Sequence, residues 1–513
     1  MKFVAETCIL RSILSLLLPL LVVLLENHYV EADVYNSASQ LASVLRLEKR
    51  LVELAQELHS DEPNEELNRF LADSHPIQTF GGSIVSPLDA YHMLRRLTSD
   101  FEPVRTALLA ARQPDIEGNV TEVLSSPLFP NTTDLNESAF ALVRLQDIYD
   151  LSTSDLQRGR IRGHRSPWTL SGDDCARLSQ QSLSHMEFEL AEVWNKAAQQ
   201  LIHEQQRRVE LERKLNSIRA TRELVLQLAR RQPDQFISKF AGSGIPLGFL
   251  GRVVEDADPT DSVAMQDIER RYKRLCRGEA LLSPAVTSRF HCAYKRSSDP
   301  FFRLRPLKTE LLWPDPLIVR FYDVTSPRQR GRLSRLAGPR LVTSKVTGRP
   351  GESGRSTQGR VGKMAFLPRG SDPLVGQFHR LVEAFTGLSS ETAEDLQVVN
   401  YGVGGHYEPH VDFYGSYEIG DFSYPRDRLA TFLFYLNSVG AGGATVFPLL
   451  GVAAPPVPGS ALFWFNLRRS GLADSRTVHA SCPVLLGAKS IANFWLHESG
   501  QEFRHRCGTS EDE

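Results

Sequence analysis

Four side chains in the C-terminal part of the chain have the types and the order of an iron site. His410 and Asp412 stand one residue apart, His479 follows further along, and Lys489 precedes an apolar stretch. On an extended strand, residues i and i+2 point to the same face, so one imidazole and one carboxylate can bind an ion from the same side. Two histidines and a carboxylate on one face of an octahedral ion leave the other face open, as non-heme Fe(II) oxygenases require. We therefore predict that His410, Asp412 and His479 bind Fe(II), and that Lys489 supplies the cation for an acidic cosubstrate.

Short strands are expected to position these residues. β-branched and aromatic runs, separated by Gly and Pro, occupy 429–436, 444–447, 461–465 and 490–496. Strands of this length at close spacing favour a β-sandwich or a barrel. The basic, Gly-rich stretch 328–360 is predicted to form strands and a long loop at the rim of the same domain. It lacks the interleaved aromatic residues of a nucleic-acid groove, so no nucleic-acid partner is expected.

The upstream half is predicted to be helical. Apolar residues recur at helical spacing in 139–151, 173–184, 186–204 and 217–231. Helix pairs in succession are typical of a tetratricopeptide-like module, whose concave face can hold an extended peptide. The Gly-rich and Pro-containing residues 235–260 are interpreted as a linker.

Nearer the N-terminus, five apolar residues are spaced by three and four residues, as in a coiled-coil seam of about two heptads. They are Val44, Leu47, Leu51, Leu54 and Leu58. An amphipathic helix packed on its own domain has the same pattern, and two heptads do not distinguish the two interpretations.

The first 32 residues have the pattern of a cleaved signal peptide. Lys2 and Arg11 precede an apolar run that Pro19 interrupts, and a small-residue cleavage site ends at Ala32. An uncleaved signal anchor is the alternative. No later stretch is apolar enough to span a membrane, and the formal net charge of −2 gives no global field for nucleic acid. A secreted or luminal chain is therefore expected, and three clustered N-glycosylation sequons, in a loop-like region, agree with it: Asn119, Asn131 and Asn136.

From 396 to 507 the chain resembles the catalytic domain of the collagen prolyl 4-hydroxylase alpha-subunit family. The similarity rests on long, ordered motifs, and weaker similarity extends through nearly the whole mature chain. The motifs are 401–413 around the His-x-Asp pair, Gly442-Gly443-Ala444-Thr445-Val446-Phe447-Pro448, 477–485 around His479, and Trp495-Leu496-His497-Glu498.

The resemblance implies a multidomain chain, with coiled-coil and tetratricopeptide-like helices followed by a double-stranded β-helix (jelly-roll) catalytic domain. The implied divisions are a signal peptide (1–32), a dimerisation region (33–134), a peptide-substrate-binding domain (135–234), a linker (235–260) and a dioxygenase domain (261–513). The resemblance also favours an association helix for the coiled-coil seam.

The family's reaction hydroxylates proline in X-Pro-Gly sequences of collagen-like proteins, using Fe(II), 2-oxoglutarate and O2 with L-ascorbate, and releases succinate and CO2. By resemblance, Lys489 would hold 2-oxoglutarate, and protein disulfide isomerase would be the beta subunit of an α2β2 tetramer in the endoplasmic reticulum lumen. A hydroxylase of a non-collagen secreted peptide and a catalytically silent assembly subunit are the alternatives.

The resemblance further implies two disulfides, Cys276–Cys292 and Cys482–Cys507. Cys175 would be left as a small buried residue in a helix. The chain departs from the family at two places: Ser490 stands where a tryptophan usually follows the lysine, and a helix rich in Arg and Gln stands where tyrosines are expected, with only Tyr149 and Trp194 as aromatic candidates for the peptide groove.

Overall fold

The computed structural model describes residues 34–35, 37–61, 64–80, 83–110, 113–231, 259–296, 300–303, 305–345, 359–414 and 427–510. The predicted leader and most of the predicted linker lie outside these residues. Within them, no helix combines the length and the apolar content that crossing a bilayer requires.

The N-terminal half is helical. Its helices are α1 (Ala38–Asp61), α2 (Glu65–Ala72), α3 (Pro87–Leu97), α4 (Glu102–Ala110), α5 (Pro114–Leu124), α6 (Thr132–Tyr149), α7 (Thr153–Gln157), α8 (Gly172–Ser184), α9 (Phe188–Leu201), α10 (Gln205–Arg231) and α11 (Pro259–Cys276). Two short hairpins interrupt them, formed by β1 (Thr79–Phe80) with β2 (Ser83–Ile84) and by β3 (Arg160–Ile161) with β4 (His164–Arg165). The helical interpretation of this half is confirmed, although α6 crosses the domain boundary predicted at 134/135 and α10 begins well before 217.

Most of the apolar seam on α1 packs inside its own chain, as the amphipathic-helix interpretation expects, and the dimerisation role of 33–134 stays a prediction. Val44, Leu51, Leu54 and Leu58 are at most 2% exposed, and α1 lies against α2, α3, α5 and β2. The seam is covered by neighbouring helices because the same three-and-four spacing serves both kinds of packing.

The sequons lie on helices and not in the predicted loop-like region. Asn119 is inside α5, and Asn136 is in the second turn of α6. Asn131 is the exposed N-cap of α6, where its side-chain oxygen accepts hydrogen bonds from the backbone N–H groups of Thr133 and Asp134. An asparagine side chain satisfies the free N–H groups of a helix start, which explains why α6 begins there.

The C-terminal half contains two main sheets. The strands are β5 (Cys292–Lys295), β6 (Leu307–Pro314), β7 (Leu317–Tyr322), β8 (Val342–Thr343), β9 (Arg360–Val361), β10 (Lys363–Leu367), β11 (Leu396–Tyr401), β12 (His406–His410), β13 (Arg428–Tyr435), β14 (Ala441–Gly442), β15 (Thr445–Phe447), β16 (Val452–Ala454), β17 (Ala461–Phe465), β18 (His479–Ser481), β19 (Val484–Leu486) and β20 (Lys489–His497). One sheet has nine strands in the order β5-β6-β7-β17-β13-β20-β11-β10-β8, and the other has five in the order β16-β15-β18-β12-β9. The four strands predicted from sequence are confirmed.

Three apolar layers separate these elements. One core lies between the N-terminal helices and the five-stranded sheet, and it includes Val446, Ala480 and Cys482. A second core lies between the two sheets, around Leu433 and Trp464. A third covers the far side of the nine-stranded sheet with helices α13 (Pro327–Ala337) and α14 (Pro373–Thr386). Central strands are therefore buried on both faces, which is why their sequences are continuously apolar.

Helix α13 replaces part of the strands and loop predicted for 328–360. Ser326 and Gln329 form a capping box, and Pro327 occupies the first turn. Leu333 and Ala337 face the core, while Arg332 and Arg335 are exposed. The short helix α12 (Pro284–Thr287) and strands β8 and β9 complete the described part of this region.

The disulfide pairing differs from the pairing implied by the resemblance. Cys276, at the end of α11, is bonded to Cys482, with a Cα–Cα distance of 5.5 Å. Both belong to the core between the helices and the five-stranded sheet. Cys292 and Cys507 are exposed free thiols. The predicted pairs are wrong because α11 packs its C-terminal end against the strand region that follows His479, whereas Cys292 lies on the outermost strand of the larger sheet.

Cys175 is confirmed as a small buried residue of helix α8. Burial raises the pKa of its thiol to about 11, so the thiol stays protonated near neutral pH.

Candidate active site

His410 and His479 face each other across the five-stranded sheet. They are direct partners in the antiparallel ladder between β12 and β18, and their ring centroids are 4.3 Å apart. Asp412 follows two residues after His410. One ligand atom from each of the three residues lies within 4.8 Å of the others, a spacing that one metal ion can bridge. The three predicted ligands are therefore brought together.

The two imidazoles present equivalent ring nitrogens to the centre. His410 Nδ1 is 2.7 Å from the Glu408 carbonyl oxygen, and His479 Nδ1 is 3.1 Å from the Thr477 carbonyl oxygen. A carbonyl oxygen only accepts, so each Nδ1 carries the proton and each Nε2 keeps a free lone pair. Burial, followed by the neighbouring His479, lowers the pKa of His410 to about 3, so the ring stays neutral as a metal ligand requires.

The Asp412 carboxylate is held ionised and oriented. Burial opposes its charge, but His479, His410, Arg428 and a hydrogen bond from Thr431 outweigh the burial and lower the pKa of Asp412 to about 2. The Thr431 hydroxyl, on β13 of the opposite sheet, donates to Asp412 Oδ2 over 2.6 Å. The same hydroxyl accepts an N–H from Asn466 at 3.0 Å, which fixes the direction of its own proton. The ligand carboxylate is thus tied to the second sheet.

Lys489 is a buried cation without a carboxylate partner. It is 1% exposed, and its Nζ donates to Ser481 Oγ over 2.8 Å. Among the described residues, no Asp or Glu oxygen lies within 4.0 Å of this ammonium group. Burial lowers the pKa of Lys489 to about 7. A buried, unpaired ammonium group costs several kcal/mol, and a bound carboxylate would relieve that cost.

Aromatic and hydroxyl side chains surround the lysine. The rings of Tyr401 and Tyr435 lie 5.7 and 5.8 Å from its Nζ, and Tyr401 is its cross-strand partner between β11 and β20. The Tyr435 hydroxyl donates to Thr445 Oγ1 at 2.8 Å. Ser481 stands two residues after His479 on β18, so the ammonium lies beside the strand that carries the second histidine.

Contacts of Arg428 support the backbone of Asp412. Arg428 donates to the Asp412 carbonyl oxygen at 3.2 Å and to Glu394 Oε2 at 2.9 Å. Its guanidinium lies 3.9 Å from the centre of the Trp495 ring, and His497 Nε2 is 3.3 Å from Glu394 Oε1. Burial opposes the charge of Glu394, but hydrogen bonds from His497 and Arg428 lower its pKa to about 2.

The residues present fit Fe(II) and 2-oxoglutarate. Two neutral imidazoles and one carboxylate form the donor set of non-heme iron oxygenases, and the unpaired buried Lys489 fits the far carboxylate of the cosubstrate. Sequence reasoning missed Thr431, Ser481 and Arg428. Ser481 has a local signal, because it is two residues from His479 on one strand face. Thr431 and Arg428 have none, because only the packing of two sheets brings them to Asp412.

The site and the strand arrangement define an oxygenase class. Residues 396–497 match the model of the 2OG-Fe(II) oxygenase superfamily, and residues 37–163 match the N-terminal region of the prolyl 4-hydroxylase alpha subunit. The first match contains all three ligands and Lys489. The chain is therefore a dioxygenase of the Fe(II)- and 2-oxoglutarate-dependent kind.

Similar proteins identify the family within that class. The chain is 33% identical to prolyl 4-hydroxylase subunit alpha-2 of Caenorhabditis elegans, over 94% of both chains. It is 34% identical to subunit alpha-1 of Rattus norvegicus, over 84% of this chain and 86% of the relative, and 30% identical to subunit alpha-1 of Homo sapiens, over 95% and 98%. The chain belongs to the prolyl 4-hydroxylase alpha-subunit family.

Proposed function

We propose that this alpha subunit hydroxylates proline in X-Pro-Gly sequences of collagen-like secreted proteins. The observation that carries the proposal is the cluster of His410, Asp412 and His479 together with the buried Lys489, which donates to Ser481 on the strand of His479. No ligand residue is missing, so the arrangement argues against a catalytically silent assembly subunit. L-Ascorbate is proposed as the reductant because of the resemblance to the family.

In this proposal each side chain has one task. The Nε2 atoms of His410 and His479 and the carboxylate of Asp412 hold the iron, and Thr431 keeps that carboxylate in orientation. Iron with 2-oxoglutarate supplies the activation of O2. Lys489 holds the far carboxylate of the cosubstrate. Lys489 is buried, so this charge pair would be stronger than one in water.

We also propose the finer architecture. The nine-stranded and five-stranded sheets facing each other are consistent with a double-stranded β-helix, and the antiparallel helices α8, α9 and α10 are consistent with a tetratricopeptide-like module. The division into an N-terminal region, a helical peptide-binding region and a catalytic region remains part of the same proposal.

A hydroxylase with a different peptide preference is the second candidate, and a specific observation favours it. The predicted groove aromatics are both core residues: Trp194 is fully buried and donates to Gln146, and Tyr149 donates to the Pro483 carbonyl oxygen. Between Asp150 and Arg231 the other aromatic residues are Trp168 and Phe188, each 5% exposed. This stretch therefore exposes no aromatic ring for stacking on proline, and paired charges such as Arg222–Glu189 cover its surface.

The partner and the compartment are proposed from family membership. A protein disulfide isomerase subunit would complete an α2β2 tetramer in the endoplasmic reticulum lumen. Glycosylation at Asn131 agrees with that compartment, because this asparagine is exposed at a helix start. The proposed signal peptide would deliver the chain there.

Coexpression with protein disulfide isomerase and an assay on a (Pro-Pro-Gly) repeat peptide test the function. We expect hydroxyproline and succinate in equal amounts from the wild-type chain and neither from Asp412→Ala. A non-collagen proline peptide that is hydroxylated while the repeat peptide is not would establish the second candidate. Absence of hydroxyproline and succinate with both the repeat peptide and non-collagen proline peptides would establish a catalytically silent subunit.

A further inference from the structure

The first described residues of the chain are threaded between the helices and the catalytic strands. We call Val34, Tyr35, Ser37 and Ala38 the N-terminal strap. All four are at most 4% exposed; three of them precede helix α1, and Ala38 is its first residue. The contacts of this strap lead towards the strand of His410 and towards the strand of Lys489.

One end of the strap is fixed to helix α6. The backbone N–H groups of Val34 and Tyr35 donate to Asp134 Oδ1 at 2.9 and 3.3 Å. Asp134 Oδ2 accepts the backbone N–H of Asn131 at 3.1 Å, as part of the helix cap. The strap therefore rests on the start of a well-defined helix.

The Tyr35 side chain reaches the segment that leads into the metal-binding strand. Its hydroxyl donates to the Val403 carbonyl oxygen at 2.8 Å. Around it the packing leaves no spare room. A Cβ on Gly404, whose φ is +76°, would lie 2.8 Å from the Tyr35 hydroxyl, and a Cβ on Gly402 would lie 3.1 Å from the backbone nitrogen of Ala38. The chain then passes into β12, which carries His410.

A second set of hydrogen bonds connects the strap to the strand of Lys489. Asn400 Oδ1 accepts hydrogen bonds from Ser37 Oγ and from the backbone N–H of Ala38, both at 3.1 Å. Asn400 Nδ2 donates to Ser490 Oγ at 3.0 Å. Asn400 and Ser490 are cross-strand partners, and the next pair along is Tyr401 with Lys489. The carboxamide of Asn400 thus joins the strap to the residue beside the cosubstrate lysine.

We infer that the N-terminal strap positions the active site. Tyr35 holds the segment that leads into β12, the strand of His410, and Asn400 connects the strap by hydrogen bonds to Ser490, the neighbour of Lys489. We call this connection the relay. A hydroxyl at position 490 is what the relay requires, because a side chain without an acceptor could not receive the Asn400 N–H. The inference rests on the proposed roles of His410 and Lys489 and adds residues that touch neither iron nor cosubstrate.

Three variants of the full chain, assembled with protein disulfide isomerase, test the Tyr35 contact and the Asn400 contacts separately: Tyr35→Phe, Asn400→Ala and Ser490→Ala. Loss of one neutral hydrogen bond predicts a change of about twofold to tenfold. We expect Tyr35→Phe to raise the Fe(II) concentration needed for half-maximal activity more than the KM for 2-oxoglutarate. We expect Asn400→Ala and Ser490→Ala to raise the KM for 2-oxoglutarate more than the Fe(II) requirement.

Tyr91→Phe is the matched control. Tyr91 is also fully buried, and its hydroxyl donates to Asp174 at 2.7 Å, but it lies within the helical half on α3. Equal kinetic constants for Tyr91→Phe and the wild type, at a Tm lowered as much as in Tyr35→Phe, would separate positioning from general stability. Strap variants whose Fe(II) and 2-oxoglutarate constants match those of the control would overturn the inference, whatever their Tm.

A double-mutant cycle tests the relay itself. Ser37 and Ser490 are joined through Asn400, so Ser37→Ala and Ser490→Ala should have non-additive effects on the KM for 2-oxoglutarate. Purely additive effects in this cycle would refute the relay. This outcome differs from failure of the proposed function, because the wild-type chain would still release succinate and hydroxyproline.

Discussion

His410 and His479 are direct cross-strand partners in an antiparallel ladder, and their free Nε2 atoms turn towards the same carboxylate. The pair joins two strands that are far apart in sequence, and the Cys276–Cys482 disulfide holds the chain three residues beyond His479. The ligand geometry is therefore a property of the five-stranded sheet. Thr431, from the other sheet, then fixes the third ligand.

The affinity for 2-oxoglutarate is predicted to fall as the pH rises above about 7. In its proposed role, Lys489 binds the cosubstrate as a cation, and burial lowers its pKa to about 7, so the free enzyme loses the cation above that pH. The bound carboxylate favours the charged form and raises the pKa in the complex. The KM for 2-oxoglutarate should then rise by about tenfold per pH unit above 7, without the same transition in kcat.

Lys489→Arg supplies the control for this profile, because a guanidinium stays charged throughout the range. We expect a weaker but pH-independent KM in Lys489→Arg and a large, pH-independent KM in Lys489→Ala. An unchanged KM in Lys489→Ala would place the cosubstrate anchor elsewhere.

Thr431→Val is predicted to weaken Fe(II) binding by about tenfold to a hundredfold, since an outer hydrogen bond orients the ligand carboxylate. The valine has nearly the same shape, so the core packing is kept. Thr431→Ser, which retains the hydroxyl, should bind close to the wild type. Equal Fe(II) affinity in all three proteins, measured by anaerobic titration, would mean that Thr431 does not orient Asp412.

The KM for proline-rich peptides is predicted to depend weakly on peptide length. The helical stretch between Asp150 and Arg231 buries all of its aromatic rings, so repeats beyond those at the catalytic pocket gain little stacking. Peptides of rising repeat number provide the measurement, with a relative from the same family as the control. A KM that falls with length as steeply as in a tyrosine-rich relative would show that other side chains of these helices bind the peptide.

Peptide mapping without reduction should recover a fragment that joins Cys276 to Cys482. Cys292 and Cys507 are exposed thiols and should react with an alkylating reagent before unfolding. Cys175 should react only after unfolding, because it is fully buried. Recovery of Cys276 linked to Cys292 would contradict the disulfide in the structure.

The candidate ligands were predictable from the sequence. The His-x-Asp spacing on a strand places two donors on one side, and the order of the motifs, with the family resemblance around His479, supplied the third. The strands at 461–465 and 490–496 were predictable from β-branched and aromatic runs. The pairing of both strands with β13 was not predictable, because a single sequence does not reveal which distant strands pair or in which register.

Other features could not be predicted from the sequence, for separate physical reasons. Cysteine connectivity is not determined by spacing, and Cys276 found its partner through the packing of α11 against the catalytic strands. An apolar stripe such as that of α1 does not reveal whether its partner is the same chain. Helix α13 was missed because arginines and Gly331 obscure its short apolar face, although Ser326 and Gln329 offered a capping signal.

Anaerobic titration of the purified chain with Fe(II) tests the central claim most directly. We predict one ion bound per chain in the wild type, and one in His406→Gln, a change on the same strand as His410 at a position outside the ligand set. We predict no binding at this site in His410→Ala, Asp412→Ala or His479→Ala. Wild-type Fe(II) binding by His479→Ala would contradict the assignment of these three residues as the iron site.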